Sequence, residues 1–175
     1  MFFLDKKTAS AVTLGNVEQP NIVVWRWLAR GNFFVNEAGE AIAKSTAFDI
    51  RRDNDDNVKE PSASLFQMRN NSESTQTSSA TFLKLLVDTK RFKSISANSA
   101  SGTICTDDVK EIEKDPKAFW LAVSAEQRKG DEFIHWDLGY VKDDRDKEMQ
   151  DAKTALAMIC KVHLQLQHDG LKLIG

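Results

Sequence analysis

Residues 21–30 read N-I-V-V-W-R-W-L-A-R, and the fold turns on how this stretch is read. β-branched and aromatic side chains crowd it, which favours a strand. Alternation along a strand sets Val23, Trp25 and Trp27 on one face. Ile22, Val24, Arg26 and Leu28 fall on the other. A short helix after Pro20 is the competing reading, because so brief an apolar run does not settle the period.

Outward from this stretch, Gly31-Asn32 breaks the chain, Phe33-Phe34-Val35 is a short strand and Asn36-Glu37-Ala38-Gly39 a turn. A strand ending at Ala47-Phe48-Asp49-Ile50 follows. Arg51 to Glu60 is a loop by composition, and Ser62 to Met68 is a strand opened by Pro61. Asn70 to Ser79 carries no apolar residue and reads as a loop, with Ser78 or Ser79 capping a helix from Ala80 to Lys90. Phe92 to Ala97 reads as a strand, and Asn98 to Gly102 as a small, polar connector. Thr106 caps a short helix to Asp115. Ala118 to Val123 and Glu132 to Val141 form an antiparallel hairpin. Met149, Ala152, Leu156, Ile159, Val162 and Leu166 recur at three- and four-residue steps, which predicts a long helix from Asp143 to His168, ended by Gly170.

Strands in meander order with inserted helices predict one α+β domain over residues 1–175. Its sheet is mainly antiparallel, and the long C-terminal helix packs on one face. The 175 residues suit one domain with a real core, and 41% hydrophobic with 29% charged is ordinary globular usage. The formal net charge of -2, from 24 basic and 26 acidic residues, argues against bulk attraction to nucleic acid or anionic membrane. No stretch approaches the ~20 apolar residues that span a bilayer. The start, M-F-F-L-D-K-K, has the reverse of a signal peptide's order. Two cysteines, Cys105 and Cys160, allow one disulfide at most. Two free thiols are the expectation, in a soluble, cytoplasmic protein.

No nucleotide-binding glycine motif, zinc signature or nucleophile elbow occurs. Three constellations remain. His135 and Asp137 share a strand face with Phe133, where a carboxylate can orient an imidazole for acid–base work. Satisfied residues on a half-exposed face are the commoner outcome. The run Asp53 to Asn57 offers oxygen ligands but lacks the glycine and glutamate of a calcium loop. His163 and His168, five apart, do not share a helix face, so no metal site and no cofactor is expected.

The third constellation is Arg26 on its strand, followed by the strand carrying Ser62-Ala63-Ser64. Their order resembles the arginine and S-x-S strands of ADP-ribosyltransferases. That resemblance implies Arg26, Ser62 and Ser64 as ligands of a nicotinamide dinucleotide. The family also needs a glutamate, and the candidates Glu126 and Glu132 lack its usual context. Residues 24–68, with W-R-W-L, F-F, A-F-D and P-S-A-S-L-F, also resemble the opening of small uncharacterised prokaryotic α+β proteins. The reading adopted is a non-enzymatic binding or accessory protein of a prokaryotic toxin or defence locus, with a protein partner. A nucleotide-using enzyme is the alternative. Trp25 and Trp27 would be a partner site if their strand lay at a sheet edge.

Overall fold

A computed structural model of the chain describes residues 22–60, 62–69, 75–96, 98–112, 119–124, 127, 130 and 132–164. The opening stretch is a strand, β1 (Val23–Leu28). After a 3₁₀ turn at Arg30–Asn32 come β2 (Phe33–Val35) and β3 (Ala41–Ala43), joined by a turn in which Gly39 takes φ +82°. The strand expected to end at Ile50 is instead β3 followed by a 3₁₀ turn, Ser45–Phe48, that buries Ala47 and Phe48. The polar run read as a loop is a two-stranded hairpin of β4 (Arg51–Arg52) and β5 (Val58–Glu60). β6 (Ser62–Met68) follows.

Helix α1 (Thr75–Asp88) begins earlier than its apolar stripe suggested, so Ser79 lies inside it and is buried rather than capping it. No strand forms over residues 92–96, among those described. The residues read as a connector instead open β7 (Ala100–Cys105), and α2 (Thr106–Ile112) follows. The hairpin of β8 (Phe119–Val123) and β9 (Phe133–Tyr140) forms as expected.

The long final helix does not. Helix α3 (Lys147–Ile159) has 13 residues, and Cys160 turns extended at φ -74° and ψ 116°. The chain goes on as β10 (Lys161–Leu164), antiparallel to β7 and β3. Val162 and His163, placed on the helix by its period, are in this strand, while Leu166 and His168 lie outside the described residues. The ladder offered by β7 outweighs a continued helix, and Gly102 makes the approach possible. A Cβ on Gly102 would stand 2.6 Å from Cys160 Sγ and 3.1 Å from Leu28 Cδ1.

Among the described residues eight strands run β2-β3-β10-β7-β1-β6-β9-β8, and each of these pairings is antiparallel. The α+β class and the antiparallel sheet therefore hold, and β1 lies at the sheet's middle. Val24, Leu28, Leu65, Ile104, Trp136 and Leu138 face Met149, Leu156 and Ala157 of α3. Trp25, Phe66, Met68 and Phe133 face Phe82, Leu83 and Leu86 of α1. Each of these large side chains contributes roughly 1.5–3 kcal/mol by leaving water.

Candidate functional site

The register of β6 against β9 brings together residues that the sequence offered separately. Ser64 pairs with Asp137, Phe66 with His135, and Ser62 with Gly139. Alternation turns Ser62, Ser64, His135 and Asp137 to the α1 face of the sheet. Ser62 Oγ donates to Asp137 Oδ1 at 3.1 Å. His135 Nε2 stands 3.7 Å from the same oxygen, beyond hydrogen-bonding distance, and is buried without any partner. The imidazole lies nearly parallel to Phe66, with centroids 5.3 Å apart. Gln127 fixes the backbone behind it, accepting from His135 N at 3.0 Å and donating to His135 O at 2.8 Å.

Two tryptophans border this group. Trp25 pairs with Phe66, so two residues along Trp27 falls beside Ser64. Trp27 packs on Phe92, with centroids 5.0 Å apart. On the other side, Trp120 pairs with Gly139, and its ring covers that glycine. A Cβ there would meet Trp120 Cζ2 at 2.2 Å. The indole Nε1 atoms of Trp25, Trp27 and Trp120 are buried with no acceptor. Trp25 is thus interior and Trp27 half-buried. Trp25 is buried under α1 and Trp27 packs against the same cluster, because β1 is central and not an edge.

Arg26 sits on the opposite face. Its Nη1 donates to the Ser64 carbonyl at 2.8 Å, its Nε donates to the Ala47 carbonyl, and its guanidinium lies over Phe48. The Arg26 and Ser64 side chains therefore do not converge. Glu132 is exposed, just before β9, and Glu126 lies outside the described residues.

A second polar group, unforeseen from sequence, lies under α3. Lys153 is fully buried and donates to Asp49 Oδ1 at 2.5 Å and Asp144 Oδ2 at 3.3 Å. Arg52 Nη2 joins Asp144 Oδ1 at 2.6 Å and Asp143 Oδ1 at 2.7 Å. Burial pushes the Asp144 carboxyl up. The Arg52 hydrogen bond, the Lys153 charge and the Ile50 amide outweigh that and hold it below the usual carboxylate range. The only sequence signal was Lys153 itself, four residues after Met149 and three before Leu156, on the apolar stripe.

On the α1 face near β10, Thr103 Oγ1 meets His163 Nε2 at 2.8 Å, and Ser79 Oγ meets Ser101 Oγ at 2.6 Å. Burial, with Lys161 beside it, pushes the His163 imidazolium's pKa down. In the Asp53–Asn57 turn, Asp53 Oδ1 accepts from Asp55 N and Asn57 N, while Asp56 pairs with Arg145. Among the described residues no three His, Cys, Asp or Glu side chains converge as metal ligands. No described helix is long and apolar enough to cross a membrane. No family model, curated protein or solved structure matches the chain.

Proposed function

We propose that this chain is a non-enzymatic binding or accessory protein, of the kind a prokaryotic toxin or defence locus carries, acting in the cytoplasm. We further propose that it takes an extended segment of a partner protein along β2. The observation that carries this reading is the contrast between the sheet's two ends. β8 is an end strand with Phe119, Trp120, Leu121 and Ala122 all buried. β2 is the other end strand, with Phe34 46% and Val35 49% exposed, and Ile42 of β3 is exposed beside Phe34. Among the described residues no strand pairs with the outer edge of β2; an apolar end strand invites an added strand, and side chains on its two faces would give specificity.

Panning a library of extended nine-residue peptides tests this. Peptides with alternating apolar residues should be enriched, should slow amide exchange at residues 33–35, and should be lost with Phe34→Lys. Enrichment indifferent to Phe34→Lys would overturn the reading.

The rival reading, a nucleotide-using enzyme resembling ADP-ribosyltransferases, draws on one observation. A carboxylate, Asp137, does lie beside Ser62. Arg26, directed to the other face, weighs against it. Titration with nicotinamide dinucleotide separates the two, since micromolar binding lost in both Arg26→Ala and Ser64→Ala would favour the enzyme.

A further inference from the structure

We propose that β2 also pairs with β2 of a second copy of this chain, antiparallel about a two-fold axis at Phe34, and that this weak dimer covers the edge a partner segment takes. The inference rests on the reading of β2 as the open end of the sheet, and it names what holds that edge when no partner is bound.

The backbone sets the phase of the edge. Phe33, Phe34 and Val35 of β2 pair with Ala43, Ile42 and Ala41 of β3. Just beyond each end, Lys44 N donates to the Asn32 carbonyl at 2.8 Å and Asn36 N donates to the Glu40 carbonyl at 2.9 Å. Hydrogen-bonded pairs alternate with non-bonded ones along an antiparallel ladder. Phe34 therefore turns its N–H and C=O to Ile42, while Phe33 and Val35 turn theirs outward. These outward residues stand symmetrically about Phe34. A two-fold axis there sets Phe33 of each copy opposite Val35 of the other, and every outward N–H meets an outward C=O.

The side chains fit the same axis. Phe34, 46% exposed, meets its own symmetry mate at a non-hydrogen-bonded position, where side chains approach most closely, with Ile42 beside it. On the other face the exposed Val35 covers Phe33 of the second copy.

Charge is self-complementary too. The 3₁₀-turn end of β2 and β3 carries Arg30 and Lys44, and the hairpin-turn end carries Glu37 and Glu40, all of them exposed. The antiparallel axis brings the basic end of each copy to the acidic end of the other, whereas a parallel pairing would bring like charges together. That match singles out a second copy among the strands that could be added here. The strand is short, so the interface belongs to the small, weak class.

Sedimentation of the wild-type chain from about 1 μM to about 1 mM should show a reversible monomer–dimer equilibrium. As concentration rises, amide exchange should slow most at Phe33 and Val35, since the Phe34 N–H is already bonded to β3. Arg30→Glu with Lys44→Glu makes both ends acidic, and Glu37→Lys with Glu40→Lys makes both basic. Each double variant alone should associate at least about tenfold more weakly, and a mixture of the two should recover the dimer. The exchange measurement uses the unaltered chain, so it stands whatever the variants' stability. A chain monomeric over the whole range, slowing confined to Phe34, or a mixture that associates no better than either variant would each overturn the proposal. Peptide panning on dilute protein is read separately. Peptides enriched by a chain that never dimerises overturn the dimer alone, and a dimer with no enriched peptide overturns the partner-segment reading alone.

Discussion

The two faces of the sheet differ in their buried polar groups: unpaired indole and imidazole nitrogens stand only on the α1 face among the described residues, beside the Ser79–Ser101 and Thr103–His163 pairs there. Under α3, Lys153 meets two carboxylates, Tyr140 Oη donates to the Phe48 carbonyl at 2.6 Å, and Trp136 Nε1 donates to Gln67 Oε1 at 3.1 Å. Arg26, on that face too, is bound to two carbonyls. Under α1, three indole N–H groups and His135 Nε2 go without partners. The paired groups fix the α3 layer in place. Unpaired ones destabilise a fold and persist where something else recovers the loss, so the α1 face holds the unused chemistry.

The largest test of this contrast is Lys153. Removing it takes one of two cations from the buried Asp144, which keeps Arg52, and leaves a gap where a fully buried side chain stood; breaking a buried pair costs about 3–5 kcal/mol. That is a large share of a total near 5–15 kcal/mol. Lys153→Ala should lower the urea midpoint sharply, whereas Trp120→Phe on the other face should leave it nearly unchanged or raise it. A mild Lys153→Ala variant would mean that the α3 network is dispensable.

Two glycines sharpen the comparison at intermediate size. Gly102 faces Cys160 and Leu28, and Gly139 faces Trp120. Alanine at either overpacks its layer, at about 1–3 kcal/mol. Gly139→Ala should also change tryptophan emission by displacing the Trp120 ring, while Gly102→Ala should leave emission alone. Equal spectral changes in both variants would contradict the assignment of these glycines to separate layers.

Much of this was legible in the chain. Alternation over 21–30 gave a strand and its two faces, with a short helix as the competing reading, while the place of Trp25 and Trp27 needed the strand order. Ser62–Met68 and the final hairpin read correctly for the same reason. β7 was missed because Ala100, Ser101 and Gly102 have low strand propensity. Gly102 is small because Leu28 and Cys160 press on it from the sheet's α3 side. Val162 continued the helical period by coincidence, and only its pairing with Gly102 identifies it as strand. For the site, His135 with Asp137 was visible as an alternating pair. Its junction with Ser62 needed the β6–β9 register, which one-dimensional spacing does not contain. Lys153 hid in the apolar stripe because neither of its acids stands at helical spacing: Asp144 is nine residues back, before α3, and Asp49 is 104 residues away.

Acid titration separates the faces at smaller amplitude. Asp144 has a folded pKa below its ordinary 3.8, so the unfolded chain takes up its proton first. The stability it contributes is present above about 3.8 and is lost as pH falls through the lower folded value. His163 is depressed from 6.5, so folding favours its neutral form. Its contribution is full above 6.5 and falls as pH drops from 6.5 toward its folded value. Urea midpoints against pH should show two declines. Asp144→Asn should remove the acid one and His163→Gln the one nearer neutrality. A single decline, untouched by His163→Gln, would show that this imidazole is not desolvated by folding.

The smallest effect concerns the two thiols, which stand one on each side of the sheet. Cys105 ends β7 with its side chain toward α1 and is half-buried, while Cys160 is buried against Gly102 on the α3 side. Both are free thiols in the structure. Burial pushes the Cys160 thiol up to about 12, so almost none of it is thiolate near neutral pH. Alkylation needs the thiolate and a path to it, and Cys160 lacks both. Native protein should therefore lose one thiol, Cys105, to iodoacetamide well before the second, and urea should release both, for a total of two equivalents. Peptide mapping of the early product identifies the site. Modification of Cys160 at a rate matching Cys105, without denaturant, would mean that the α3 layer opens as readily as the α1 layer. The contrast between a fixed face and an adaptable one would then fail.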